Sequence, residues 1–289
     1  MIVFAIEVFY DWSFNLTEYI EKYVGNISPL RASVVINTHL IEEIRKVQKL
    51  SPVATIGLGR SLSGALLLAS NTKSNHKVGL QFKGNGPIGS IYAEANFEGH
   101  TRGCVSNPHL IMKETDDNFN LKNALGIGEL TVFNNMGKGG MYQGRVLLQT
   151  SEIGDDLAFF LYQSQQIPSI VSLGIYLDKD GSVQGSGGVL IELMPGHTEE
   201  LINQLEKNVS KIKSISSMIC GHAGHEEIMH AFLSGIDMVS MNHHQEIKFV
   251  CNCSEDRAKR SINLLDKFET DEKNITVTCE FCGKKYRLS

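Results

Sequence analysis

Four cysteines near the C-terminal end carry the clearest chemistry in this chain. Cys251 and Cys253 are separated by one residue in "KFVCNCSEDR", and Cys279 and Cys282 by two in "VTCEFCGKKY". In an extended segment residues i and i+2 project to the same face, so Cys251 and Cys253 can aim both sulfurs at one ion, with Phe249 on the same side. The second pair reads as a zinc knuckle, in which a tight turn brings Cys279 and Cys282 together and Gly283 tolerates the positive φ that lets backbone N–H groups approach the thiolates. Four thiolates with no spare histidine or water position predict one closed, tetrahedral Zn²⁺ site of the structural kind and no catalytic centre with an open position.

The same thiols could instead form a disulfide framework, and the compartment argues against that. "MIVFAIEVFYDW" is apolar but contains Glu7 and Asp11 and has no Lys or Arg before Lys22, so the basic region of a secretory signal is missing. No run approaches the roughly 20 apolar residues of a membrane span. The expectation is a cytoplasmic protein without a membrane partner, where paired cysteines are more often metal-binding or redox-active than structural disulfides. A disulfide closed across a single intervening residue departs from relaxed geometry, and strained disulfides are the labile, regulatory ones. A plain zinc ribbon that only staples the C-terminus fits the spacing equally well. Either way a module of about 40 residues cannot build a stable core alone, so the metal supplies most of its folding free energy, on the order of 10–16 kcal/mol.

Charge narrows the partners. The chain has a formal net charge of -5, and from residue 247 to 289 nine Lys and Arg face seven Asp and Glu. Zinc with four thiolates is formally a dianion, so the liganded module is close to neutral and lacks the clustered cations that nucleic-acid binding needs. The alternative reading, a zinc-ribbon module that binds nucleic acid or a protein partner, would rest on Lys284, Lys285 and Arg287.

Other motifs have structural explanations. "GNGPIG", residues 84–89, matches a dinucleotide-binding string, but a strand-like segment follows it where a helix N-terminus is required, and Pro87 removes a donor. It is expected to be a turn. "HEEIMH" places His225 and His230 five apart, not the four that sets two ligands on one helical face. His222, His225, His230, His243 and His244 are expected to be solvated or ordinary packing residues. Asp178, Asp180 and Gly181 lack the rest of a calcium loop. No G-x-S-x-G elbow is present, and the chain is not expected to be an enzyme. Cys104 and Cys220 are expected to be buried small hydrophobes.

With 289 residues, 42% of them hydrophobic, the chain can form a large unit and a small one. "NTHLIEEIRKVQKL" has helical spacing, and Ser51-Pro52 stops that helix and starts the next, "SPVATIGLGRSLSGALLLAS", a core helix whose Gly57, Gly59 and Gly64 permit close packing. Between residues 77 and 149, short segments rich in β-branched and aromatic residues alternate with Gly and Asn turns, the pattern of an antiparallel sheet. "SEIGDDLAFFLYQSQQ" is predicted to be a helix capped by Ser151, followed by a hairpin turning at Asp180-Gly181. "TEELINQLEKNVSKI" carries Leu201, Ile202, Leu205, Val209 and Ile212 on one face of an amphipathic helix, and "HEEIMHAFLS" is a second, shorter one. These readings predict an α+β fold with a large domain of antiparallel sheet and packed helices, a helical linker, and a small C-terminal zinc module.

At this point the sequence resembles the redox-regulated bacterial holdase chaperones known as the thirty-three-kilodalton heat-shock protein. Both cysteine pairs match that family's zinc switch, and "SPVATIGLGRSLSGALLLAS", "GNGPIGSIYAEAN", "RGCVSNPH", "YQGRVLLQTSEIGDDLAFFLYQSQQIPS" and "GGVLIELMPG" look like its core segments in the same order. The resemblance divides the chain into an N-terminal extension (1–19), a chaperone core (20–196), a linker (197–246) and a redox-switch domain (247–289). It implies that the reduced thiolates of Cys251, Cys253, Cys279 and Cys282 hold one zinc ion. It also implies that oxidative and heat stress convert them to the disulfides Cys251 with Cys253 and Cys279 with Cys282 and expel the metal. The module and linker then lose structure, and newly exposed apolar surface binds unfolding client proteins without ATP. The active form is expected to be a homodimer.

Overall fold

The computed structural model describes residues 17–112, 120–242, 244–265 and 275–288. The expected N-terminal extension falls, up to residue 16, outside these described residues. In chain order the elements are strands β1 (Tyr19–Val24) and β2 (Leu30–Ile36), helices α1 (Thr38–Gln48) and α2 (Pro52–Ser70), and strands β3 (Lys77–Gly84), β4 (Ser90–Asn96) and β5 (His100–Val105). Next come α3 (Leu121–Leu125), β6 (Gly128–Asn135), β7 (Met141–Leu147), α4 (Ile153–Gln165), β8 (Ser169–Leu177) and β9 (Val183–Leu193). The C-terminal third holds α5 (Glu199–Val209), α6 (Ile215–Cys220), α7 (His225–Phe232), β10 (Val239–Ser240), β11 (Gln245–Glu246), β12 (Lys248–Phe249), α8 (Glu255–Leu265), β13 (Ile275–Thr278) and β14 (Lys285–Leu288). The fold is α+β, as the pattern of elements predicts.

Two large sheets sandwich α2. The first has the order β10-β1-β2-β9-β8, with β11 also on β1, and the second the order β12-β5-β4-β3-β6-β7. Helix α2 is apolar around its whole circumference, long enough and apolar enough to cross a membrane, yet 83% of that stretch is buried inside the protein. An all-round apolar helix needs cover on every side, and the two sheets with α1 and α4 supply it. Close approach explains its glycines: a Cβ on Gly59 would lie 2.2 Å from Ile175 Cδ1, and one on Gly64 2.6 Å from Leu157 Cδ1. Residues 84–89 form the turn from β3 to β4, as expected.

One cap differs from expectation. The N-cap position of α4 is Glu152, not Ser151, and Ser151 adopts φ +62° with its hydroxyl donating to the Gly126 carbonyl. Asp156, fully buried in the first turn of α4, accepts from the N–H groups of Gln149 and Thr150, and so fixes the entry to the helix.

The first sheet is apolar on both faces. In β2, Val35 points to the α2 core, whereas Leu30, Ala32 and Val34 point the other way with Val189 and Ile191 of β9 and Tyr23 of β1. That second face is covered by the three helices that follow β9: Leu205 of α5, Ile215 and Ile219 of α6, and Ile228, Met229, Phe232 and Leu233 at α7. Between α5 and α7 the six-residue α6, too short to show a helical period, lies over β8 and β9. Asn208, buried in α5, donates to the carbonyls of Phe232 and Ser234 and ties α5 to the end of α7.

The His- and Met-rich segment after α7 is not a free connector. β10 pairs with Tyr23–Val24 and β11 with Tyr19–Ile20, which places both on the outer edge of β1. Ile247 N–H then donates to the Glu18 carbonyl, and β12 pairs in parallel with β5, so the chain steps from one sheet to the other just before Cys251.

Two histidines clamp this junction. The Tyr19 ring lies between His225 at 4.1 Å and His244 at 4.4 Å, and His225 Nε2 donates to the Tyr19 carbonyl at 3.0 Å. Burial holds the His225 imidazole below its ordinary range; the Tyr19 carbonyl and the Glu21 charge oppose this, and His244 adds to it. A base with a depressed folded pKa disfavours protonation in the docked state. Its docking free energy is therefore complete above the unfolded value, about 6.5, and declines as pH falls below it. The protection of α7 amides in the reduced protein, with the intrinsic pH dependence of exchange divided out, should fall on acidification through that range, and His225→Gln should flatten the profile. Equal acid sensitivity in wild type and variant would remove His225 from this role.

Candidate metal centre

The four cysteines of the two motifs converge. Cys251 and Cys253 follow β12 in an irregular segment that ends at α8, where Ser254 Oγ accepts from Arg257 N–H at 3.3 Å and caps the helix. Cys279 and Cys282 sit in the turn between β13 and β14, an antiparallel hairpin with Thr278 opposite Lys285. Cys279 N–H donates to the Lys284 carbonyl at 2.9 Å and Gly283 N–H to the Cys279 carbonyl at 2.8 Å, with Gly283 at φ +71°. That conformation is the one the sequence expects of a knuckle glycine.

The Sγ atoms of Cys251, Cys253, Cys279 and Cys282 all lie within 4.8 Å of one another. Cys251 Sγ is 3.7 Å from Cys279 Sγ, and Cys253 Sγ is 3.4 Å from Cys282 Sγ. All six cysteines are free thiols. A tetrahedral ion with Zn–S bonds of about 2.3 Å spaces its sulfurs ~3.8 Å apart, so the cluster has the dimensions to hold a metal ion and is compatible with zinc. With four sulfurs and no histidine or carboxylate in the group, the donor set is soft and closed.

Neighbours tune the sulfurs. Tyr286 Oη donates to Cys253 Sγ at 3.1 Å, and this hydrogen bond brings the Cys253 thiol down to about 7 while pushing Tyr286 up to about 12. Burial pushes Cys282 up to about 12 and raises Cys251 as well. The Arg102 guanidinium of β5 faces the Cys251 sulfur while pairing with Glu94 Oε1 at 2.7 Å, and so brings a cation to a cluster that is anionic when ionised.

Sequence spacing locates the four sulfurs but not Arg102, which is far away along the chain and enters only because β5 receives β12 as an edge partner. Tyr286 had a local signal in "CGKKY", an aromatic on the strand leaving the knuckle. Cys104 is half-buried, not fully buried: its Sγ lies 3.9 Å from Glu280 Oε2, beside the module, and burial pushes its thiol up to about 12, which keeps it protonated and inert. His230 is exposed on α7, with Nε2 3.7 Å from Glu226, and it belongs to no cluster of three or more potential metal ligands among the described residues.

Comparison with known proteins agrees with this architecture. The family described as Hsp33 protein matches residues 18–289. The chain is 36% identical to a 33 kDa chaperonin of Synechococcus sp. (strain JA-3-3Ab) over 284 residues, spanning 95% of this chain and 88% of the relative. It is 35% identical over 288 residues to a 33 kDa chaperonin of Aquifex aeolicus, again across 95% of this chain and 88% of the relative. The crystal structure of the 33 kDa chaperonin (heat shock protein 33 homolog) from Thermotoga maritima superposes with a TM-score of 0.82 at 28% identity, covering 94% of both chains. By sequence across nearly its whole length, and by fold, this chain belongs to the Hsp33 family.

Proposed function

We propose that this protein is a redox-regulated chaperone, an ATP-independent holdase that binds unfolding proteins and keeps them from aggregating under oxidative and heat stress in the cytoplasm. The observation that carries the reading is the apolar face of the first sheet, formed by Leu30, Ala32, Val34, Val189 and Ile191 and covered by a linker that runs directly into the four-thiol cluster. A surface of that kind, once uncovered, suits exposed apolar segments of other chains.

In the reduced state Cys251, Cys253, Cys279 and Cys282 would hold one zinc ion, which when bound braces a module too small to fold by its own core. Peroxide takes two electrons from each thiolate pair, forming Cys251 with Cys253 and Cys279 with Cys282. Two peroxides accept the four electrons and, with four protons from solvent, become four waters. Sulfurs tied as disulfides can no longer ligate a metal, the module loses its main stabilising contribution, and β12, β11 and β10 lose their anchor. The linker, residues 197–246, then lifts from the core, residues 20–196, and the oxidised chains pair as homodimers.

Light scattering of a heat-unfolding client, with zinc-loaded reduced protein and with peroxide-treated protein, tests this. Suppression is expected only after oxidation. Equal suppression in both states would refute redox control, and none in either would refute the chaperone.

A further inference from the structure

The knuckle does more than hold sulfurs. Phe281, between Cys279 and Cys282, lays its ring on the outer face of the second sheet. There, Tyr92 lies opposite Cys104 and Glu94 opposite Arg102 across β4 and β5. The Phe281 ring centroid is 4.5 Å from the Arg102 guanidinium carbon and meets the Tyr92 ring edge-on at 6.3 Å. Arg102 is held in place by Glu94, which also accepts from Tyr92 Oη at 2.7 Å, so the aromatic ring meets a prearranged cation and ring edge. From the end of α1, Gln48 Nε2 donates to the Phe281 carbonyl and to the Gly103 carbonyl, both at 2.8 Å, bridging knuckle and sheet.

Outside this contact, the chain between α7 and the cysteines is held by strands of two residues each, β10, β11 and β12, by the His244 stack on Tyr19 and by the buried Ile247. Such short pairings separate readily unless both ends are held. Resting on the redox reading above, we infer that Phe281, seated on Arg102 and Tyr92 and bridged by Gln48, is the positioning residue that couples the state of the thiol cluster to linker docking. A closed knuckle presents the ring to the core. When the knuckle opens, the ring withdraws and the restraint on β12 and on the linker behind it is lost. On this account Phe281 contributes nothing to ligation.

The test uses the full-length, reduced, zinc-loaded protein with Phe281→Ala, Phe281→Tyr and Gln48→Ala. Zinc per chain is measured with a chromophoric chelator, and amide exchange is followed across α5 to α7. Phe281→Ala and Gln48→Ala should keep the wild-type zinc content while linker exchange accelerates, on the order of tenfold for loss of a half-buried cation–π contact. Phe281→Tyr should restore slow exchange. Wild-type exchange rates in both alanine variants would overturn the inference. So would fast exchange confined to a Phe281→Ala protein that has also lost zinc, because that marks a purely local role in the knuckle. If oxidised wild type fails to suppress aggregation, the chaperone reading falls while these exchange rates still decide the coupling.

Discussion

Replacing Cys279 with serine should deprive the reduced protein of its metal ion and unfold the C-terminal module while the core stays intact. The cluster is closed, with four sulfurs and no substitute donor within it, so losing one thiolate leaves three ligands where a structural site needs four. Structural zinc contributes on the order of 10–16 kcal/mol of apparent folding free energy in small modules, more than any packing term here can replace. The module is a two-stranded hairpin, one helix and the cysteine segment, whereas the core supplies β1, β2, β8 and β9 to one sheet and β3 to β7 to the other, around α2. Amide exchange should therefore reach unprotected rates in β13 and β14 and stay slow in α2. The variant should also suppress client aggregation without oxidant, because β12 then loses the folded module that follows it and keeps only its short pairing with β5. Retained protection of the hairpin in a metal-free Cys279→Ser protein would show that the module folds without metal.

The second large effect is expected in the linker. Phe232 is 1% exposed at the end of α7, packed with Ile228 and Met229 against the β1, β2 and β9 face. Truncating a buried Phe to Ala costs about 3–5 kcal/mol, and here the loss falls on a segment of three short helices, not on the whole domain. Reduced, zinc-loaded Phe232→Ala should therefore release the linker. Limited proteolysis should cut between residues 197 and 246 while zinc content stays at the wild-type level, and light scattering should show suppression without peroxide. Proteolytic release without any gain in suppression would mean that the uncovered sheet face is not where clients bind.

Much of this was legible in the sequence, and the boundary follows the physics. Local patterns came through: the cysteine spacings, the stripe from Leu201 to Val209, though the helix stops before the expected Ile212, the start of α2 at Pro52 and the Asp180-Gly181 turn. Each depends on a few neighbouring residues. What the stripe covers was not legible, because the acceptor face exists only after β2 pairs with β9, Val34 opposite Val189, across most of the core. The apolar run of β9 hints at burial on both faces, without saying what lies on the second. Arg102, Gln48 and Tyr92 were invisible for the same reason, since only the edge pairing of β12 with β5 brings them to the knuckle. Ser151 misled because Ser is a good N-cap by type, yet its left-handed backbone moves the cap to Glu152 and sends its hydroxyl to Gly126.

The central claim is that oxidation of one cluster empties the metal site and thereby uncovers the sheet. A peroxide titration of the zinc-loaded protein, with a chromophoric chelator reporting free zinc as thiols are counted, tests it most directly. The account predicts one zinc ion released for every four thiols lost, with Cys104 and Cys220 still reduced. Loss of the four thiols with zinc retained, or zinc release with the thiols intact, would contradict it.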